Sequence, residues 1–208
     1  TEEEKRSVAY HEAGHATISW LLRYGNPLVK VTIVPRGVAL GAAWYLPEER
    51  QLTNKEHIMD NLCSLLGGRA AEELTQDDIC TGASNDIERA TEMAHNMVTK
   101  FGMSAKVGLV KLGTGNNEVF LGRDFSSTPN YSENMAAVID SEVRDIIMSQ
   151  YDKAKGILND NMGKVHKVAQ ILFENERLSA FSKYDFYDYR CRHIGFVFQD
   201  FHLLMLLC

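Results

Sequence analysis

Two histidines four residues apart, with a glutamate beside the first, are the residues best suited to chemistry. They form the run His11-Glu12-Ala13-Gly14-His15. Side chains at i and i+4 of a helix share one face, so His11 and His15 can bind one Zn²⁺ while Glu12 lies beside an open coordination position. Bound zinc lowers the pKa of a water ligand toward about 7, and Glu12 would take its proton and deliver it to a leaving amine. The predicted chemistry is peptide-bond hydrolysis.

A structural role is the alternative for these residues. In that interpretation the two histidines belong to the core and Glu12 lies on the surface. Burying two adjacent imidazoles without a polar partner costs free energy, and their helical spacing is the one a metal requires. The sequence therefore favours a metal site.

The third protein ligand that a catalytic zinc requires is not identified by spacing. Metzincins have a glycine and a histidine where this sequence has Ile18 and Leu21, so that class is excluded. Four other residues are weaker candidates because of the hairpin loop or helices on which we expect them: Glu48, Glu49, His57 and His95. Asp86 and Glu72 remain. Asp86 could equally be an acid that stabilises a helix N-terminus.

Helix-start signals indicate where the first two helices begin. Thr1 with Glu4 makes a capping box, and Thr53 with Glu56 makes a second one. The apolar stripe of the second helix continues onto charged residues, so we expect Glu72 to point inward. A third helix follows with Asp86 in its first turn. Its predicted buried face comprises Ile87, Ala90, Met93, Ala94, Met97 and Val98.

The rest of the chain predicts a small β-element and a helical C-terminal half. The alternating run Val29–Ile33 and the run Ala39–Leu46 predict a β-hairpin, and helical patterns resume at Tyr131. These patterns predict a mainly helical domain with a small β-hairpin or sheet element. We place this domain at residues 1–178 and expect residues 179–208 to form an atypical tail outside the protease fold.

Composition excludes several classes of function. The 208 residues carry a net charge of -6 without a basic run, which argues against a nucleic-acid partner. Four scattered cysteines do not make a disulfide scaffold or a zinc ribbon. Apolar runs are shorter than the roughly 18 residues of a spanning helix, so we expect no membrane span here. A start at Thr1 without methionine suggests a fragment of a longer protein.

Four ordered motifs resemble the FtsH family of membrane-anchored AAA proteases. The motifs are His11–Ala16, Val31–Gly37, Leu66–Glu73 and Thr81–Ile87. The resemblance continues to residue 178 and implies one Zn²⁺ per chain, with Asp86 as the third ligand and Glu72 supporting a ligand. It also implies a mainly α fold, a helical metalloprotease domain with a small β-hairpin or sheet element. In the family such domains assemble as a hexameric ring beneath an ATPase ring. ATP would act only through an upstream ATPase domain that these residues do not include.

The same resemblance implies a setting and a class of substrate. The substrates would be unfolded or membrane proteins, degraded at the cytoplasmic face of a bacterial inner membrane, with the mitochondrial inner membrane as the alternative. The membrane would be reached only through a missing N-terminal segment. An unpaired edge of the second hairpin strand could bind extended substrate by β-augmentation. The alternative is an ordinary hairpin edge that loops cover. The residues assigned to this role are Ala39, Leu40, Gly41, Ala42 and Ala43.

The C-terminal tail raises a competing hypothesis. Residues 192–204 resemble the Q-loop segment of ABC-transporter ATPases, which suggests a chimeric tail. The chain has no G-x-x-x-x-G-K-[ST] loop to hold phosphates, which argues against an ATP-binding fragment. A catalytically silent assembly module of the same hexameric complex is the other alternative. The complete set of His11, Glu12, His15 and Asp86 argues against it.

Overall fold

Helices make up most of the structure. The computed structural model describes residues 1–26, 28–35, 41–45, 52–76, 79–112 and 131–179. Its elements, in chain order, are α1 (Glu2–Leu21), β1 (Leu28–Thr32), β2 (Ala42–Tyr45), α2 (Lys55–Thr75), the 3₁₀ turn Thr81–Ala83, α3 (Ser84–Thr99), α4 (Glu133–Asp160), α5 (Met162–Asn175) and β3 (Arg177–Ser179). The prediction of a mainly α fold with a small β-element is confirmed.

The first helix lies at the centre of the fold. From Ala9 to Ser19 its residues are buried on every side, with Tyr10 alone among them partly exposed. The helices α2 and α5 pack along it, and β1 and β2 also contact it. An amphipathic helix at the surface of a domain buries only a single stripe. Small residues such as Ala13 and Ala16 permit the wider burial, because neighbouring elements can approach closely at them.

A contact between glycines brings α1 and α2 together. A Cβ added to Gly14 would lie 2.3 Å from the carbonyl oxygen of Gly67 and 2.7 Å from the Cβ of Ala71. Neither distance is possible between real atoms, so only glycine fits at position 14. Glycine inside a helix costs about 0.5–1 kcal/mol relative to alanine. The close packing of the two helices offsets that cost here.

The three strands form an antiparallel sheet in the order β2-β1-β3. Val31 of β1 pairs with Ala43 of β2 on one side and with Leu178 of β3 on the other. The predicted pairing of the two hairpin strands is confirmed for these residues. The third strand was not predicted, because three residues are too few to show a period of two.

The predicted helical C-terminal half consists of two helices, α4 and α5, separated at Asn161. The helix α5 ends where Glu176 adopts a left-handed conformation with φ 62°. The chain then turns back toward the sheet as β3. Among the described helices, none combines the length and apolar composition needed to cross a membrane. The tail expected at residues 179–208 lies outside the described residues except for Ser179.

Two details of helix starts and faces test the local predictions. The capping box of α1 is confirmed: the Thr1 hydroxyl accepts from the Glu4 backbone N–H, and the Glu4 carboxylate reaches back to the terminus. The second predicted capping box, Thr53 with Glu56, is wrong. Asn54 caps α2 by accepting a hydrogen bond from the His57 N–H at 2.8 Å. Asparagine is at least as good an N-cap as threonine, which shifts the start by one residue.

The predicted buried face of α3 is largely confirmed. Ala90, Ala94, Met97 and Val98 are buried. Ile87 is an exception, being 39% exposed. Asp86, the residue before it, points toward α1. Successive side chains on a helix are about 100° apart, so Ile87 points away from α1.

The position of the α2 cap generates a first prediction. Replacing Asn54 with alanine should lower the free energy of unfolding by about 1 kcal/mol, because the His57 N–H loses its acceptor. Thr53→Ala is the matched control and should change stability by less than about 0.5 kcal/mol. Urea denaturation followed by circular dichroism measures both. A larger loss in Thr53→Ala would mean that the helix begins one residue earlier.

Candidate metal centre

Three possible ligand atoms from two helices converge at one point. The helix α1 presents Nε2 of His11 and Nε2 of His15 at a separation of 3.0 Å. Oδ2 of Asp86, in the first turn of α3, lies 3.3 Å from the first nitrogen and 3.2 Å from the second. Within the described part of the chain, these residues form the group whose donor atoms are close enough to share a metal ion.

The separations of these atoms fit a zinc ion. Tetrahedral zinc with ligands at about 2.0–2.1 Å has ligand atoms about 3.3–3.4 Å apart. The observed triangle of 3.0, 3.2 and 3.3 Å is close to one face of such a tetrahedron. Two imidazoles and one carboxylate are also a donor set that suits zinc. The residues therefore fit the metal in both geometry and chemistry.

The other ring nitrogens of the histidines are held by α2. His15 Nδ1 lies 2.8 Å from the backbone carbonyl of Ser64, which can only accept, so this nitrogen carries the proton. His11 Nδ1 lies 2.7 Å from Oε1 of Glu72. With each Nδ1–H donating to α2, the Nε2 lone pairs are directed to the common point. Such outer contacts orient histidine ligands in metal proteins.

The charges around the point favour a cation there. Burial lowers the pKa of His11, but hydrogen bonds to Asp86 and Glu72 outweigh burial and raise that pKa to about 9. Burial raises the pKa of Asp86, but hydrogen bonds from His11 and His15 outweigh it and hold the pKa far below its usual range. A proton or a metal ion therefore competes for the same position between the histidines and the carboxylate.

Glu12 is buried next to these ligands and lacks a partner for one oxygen. Its side chain belongs to a residue only 6% exposed, and Oε2 accepts no hydrogen bond within the described part of the chain. Burial raises the pKa of Glu12, and the charges of His15 and His11 only partly oppose this. A carboxylate with a raised pKa and a free oxygen beside a metal position is suited to accept and return a proton.

Gly41 of the predicted substrate-binding strand lies beside Glu12. A Cβ added to Gly41 would lie 2.6 Å from Oε1 of Glu12, so the backbone at residue 41 passes directly over this carboxylate. Ala42 and Ala43 follow in β2, which pairs with β1 along one edge. Ala39 and Leu40, the other two residues assigned to substrate binding, lie outside the described residues.

The two acids that spacing left open take different positions. Asp86 contacts the Nε2 atoms of both histidines, whereas Glu72 is fully buried and contacts Nδ1 of His11. Glu72 points inward as its stripe predicted. Its carboxylate also contacts Arg69 and Cys80. The sequence analysis assigned no role at the site to Arg69 or Cys80. Arg69 could have been found because it lies on the same helical stripe as Glu72, whereas no sequence pattern pointed to Cys80.

The weaker ligand candidates lie elsewhere or are not described. The His57 ring stacks against Tyr24, with centroids 4.5 Å apart, and His95 contacts Thr99 on its own helix. Neither histidine belongs to the converging group. Glu48 and Glu49 lie outside the described residues.

Known proteins share this sequence over most of its length. The sequence model of peptidase family M41 matches residues 1–183. An "ATP-dependent zinc metalloprotease FtsH" of Parabacteroides distasonis is 57% identical over 176 residues, which are 85% of this chain and 25% of that protein. A protein named FtsH 1 from Thermoanaerobacter sp. is 50% identical over 181 residues, 86% of this chain and 30% of its own. An FtsH of Caldicellulosiruptor bescii is 49% identical over 181 residues.

The matched relatives are much longer than this chain, which spans only 25–30% of the length of the first three. Their names agree with the FtsH resemblance that the four ordered motifs indicated, and the resemblance is confirmed. The family model covers residues 1–183, and the matched relatives are named zinc metalloproteases. The chain belongs to peptidase family M41.

Proposed function

We propose that this chain is a zinc-dependent endopeptidase domain in which His11, His15 and Asp86 hold one Zn²⁺. The observation that carries the proposal is the triangle formed by His11 Nε2, His15 Nε2 and Asp86 Oδ2. Three protein ligands leave one tetrahedral position open, as catalytic zinc sites require. When bound there, zinc supplies a Lewis acid that polarises a carbonyl group and makes a water molecule acidic.

Glu12 performs the proton transfers in this proposal. It accepts the proton of the attacking water at Oε2, the oxygen that lacks a partner among the described residues. The water oxygen bonds to the peptide carbonyl carbon, the C–N bond breaks, and Glu12 returns the proton to the departing amine. The raised pKa of Glu12, caused by burial, brings its two protonation states closer in energy.

The substrate binds in this proposal as an extended chain along β2. In the described sheet β2 is an edge strand next to β1, and an added strand would pair along its other edge through backbone N–H and C=O groups. The hydrogen bonds to an added strand would involve only its backbone and would not depend on its side chains, which suits a protease that acts on many sequences. The beginning of this edge, at Gly41, adjoins Glu12, so a peptide paired there would cross the metal position.

The wider setting is proposed from the relatives. Because the names of the longer relatives include ATP dependence, we place this domain in a longer ATP-dependent protease that degrades unfolded or membrane proteins. The resemblance to FtsH supports a hexamer, with ATP acting through a separate domain. It also supports a bacterial inner membrane facing the cytoplasm, with a mitochondrial membrane as the alternative. A catalytically silent assembly module is the rival function, and the activity measurements below distinguish it.

The role of Glu12 is tested by Glu12→Gln. This variant should keep one zinc per chain and lose cleavage by at least about 10²–10⁴-fold, because the amide cannot accept the water's proton. Casein degradation and metal analysis measure the two properties. His15→Ala is the contrasting variant and should lose both zinc and cleavage. Unchanged cleavage by Glu12→Gln would remove Glu12 from the mechanism, and an inactive parent that binds zinc would favour the assembly module.

The assignment of the two acids is tested by Asp86→Asn and Glu72→Gln. Asp86→Asn should weaken both zinc binding and activity, since an amide oxygen is a poorer zinc ligand than a carboxylate. As a mere helix-start acid, Asp86 would lose only a few tenths of a kcal/mol of stability on this change. Glu72→Gln should weaken metal binding by about 10–100-fold without removing a ligand. Parent-like zinc affinity in Asp86→Asn with lost affinity in Glu72→Gln would reverse the assignment.

The space for the metal is tested at Gly68. A Cβ at this position would lie 2.4 Å from His11 Cε1, 2.5 Å from His11 Nε2 and 2.6 Å from His15 Nε2. Gly68→Ala should therefore weaken zinc binding by more than about 100-fold, beyond the effect of losing an outer contact. The control is Gly156→Ala in α4, where an added Cβ meets no atom within 4 Å. Equal zinc affinity in the two variants would contradict the proposed metal position.

A further inference from the structure

We propose that Arg69 and Cys80 are positioning residues of the metal centre, which together hold the Glu72 carboxylate against His11 and fix the segment that leads to Asp86. This inference rests on the proposed zinc site. It concerns how two ligands from distant parts of the sequence are held in one arrangement. The contacts of one buried carboxylate carry it.

The Glu72 carboxylate is a buried charge that needs more than His11 to balance it. Its residue is 0% exposed. Oε1 lies 2.7 Å from His11 Nδ1 and 3.1 Å from Cys80 Sγ, and Oε2 lies 3.4 Å from the Cys80 backbone nitrogen. When His11 is a metal ligand its imidazole is neutral, so it donates a hydrogen bond but supplies no charge. A buried carboxylate without a cation is strongly unfavourable.

Arg69 supplies that cation from one turn earlier on α2. Its Nη1 lies 3.3 Å from Glu72 Oε2, an ion pair without hydrogen-bond geometry. Its Nη2 donates to the carbonyl oxygen of Cys80 at 2.8 Å. The rigid planar guanidinium therefore spans two partners, the acid on its own helix and the backbone of a later segment. A lysine, with a single point of charge, cannot occupy both positions.

Cys80 connects this pair to the third ligand. It receives the Arg69 bond at its carbonyl and donates to Glu72 from both its backbone nitrogen and its thiol. Residues 81–83 then form the 3₁₀ turn, and α3 begins at once with Ser84. Asp86 is thus only six residues from Cys80, along a path of hydrogen-bonded turns. The contacts among Arg69, Glu72 and Cys80 therefore hold two parts of the site. Glu72 fixes the His11 ring, and Cys80 fixes the start of the segment that leads to Asp86.

The test measures the zinc dissociation constant by competition with a chromophoric chelator, together with the visible spectrum of the Co²⁺-substituted chain. Arg69→Met should weaken zinc binding by about 10–100-fold, and Arg69→Lys should recover only part of this. Cys80→Ala should weaken binding by a smaller factor, and Cys80→Ser should restore it because a hydroxyl can donate to Glu72. The cobalt spectrum should change in Arg69→Met and Cys80→Ala, since it reports ligand geometry.

The matched control is Lys155→Met. It removes a cation that pairs with the neighbouring acid of α2, Glu73, at 3.4 Å, away from the metal ligands. Its zinc affinity and cobalt spectrum should equal those of the parent. If Arg69→Met and Cys80→Ala match this control in both measurements, the inference is overturned even if their melting temperatures fall.

If circular dichroism shows that Arg69→Met does not fold, the comparison of Cys80→Ala with Cys80→Ser decides. A parent that binds no zinc would instead overturn the proposed function, and this inference with it.

Discussion

The backbone contact between α1 and α2 is the constraint on which the candidate metal centre depends. The two helices meet where Gly14 faces Gly67. Because the helices are this close, the next residue, Gly68, lies against both imidazole rings. The Glu72 carboxylate of α2 reaches Nδ1 of His11, and the Ser64 carbonyl of α2 reaches Nδ1 of His15. A side chain at position 14 would separate the helices and withdraw all three features together. The cost of glycine within a helix is offset here by the close packing of α1 and α2.

Three carboxylates around the same two histidines are separated by their environments. Histidine hydrogen bonds hold the pKa of Asp86 far below its usual range, and hydrogen bonds from His11 and Cys80 outweigh burial and lower the pKa of Glu72. Burial raises the pKa of Glu12, whose Oε2 has no partner among the described residues. The first two acids are therefore ionised and fixed, while the third is the one suited to exchange a proton. Acids pushed apart in this way are typical of sites that perform acid–base chemistry.

The small sheet brings a polypeptide edge to this centre. Its middle strand, β1, is held on both sides, by β2 and by β3, which arrives from the C-terminal end of the described chain. Pairing with β3 stabilises β1 and with it the hairpin. In the described sheet β2 remains an edge strand, with Gly41 next to Glu12. A two-stranded hairpin alone is marginally stable in water. The third strand therefore helps to hold the proposed substrate edge beside the proposed metal position.

Local features of this protein were readable from its sequence because they depend on neighbouring residues. The histidine spacing, the capping box at Thr1 and the helical stripes follow from helix geometry within a few turns. A one-residue error at Asn54 shows the limit of that reading, since two adjacent residues can both cap a helix.

Other features depend on chain segments brought together only by folding. Spacing could not choose between Asp86 and Glu72, and it gave no sign of Cys80 or of β3. Tertiary structure placed one acid at the Nε2 atoms and the other at Nδ1 of His11, because only the packing of α1, α2 and α3 determines which side of an imidazole each carboxylate reaches.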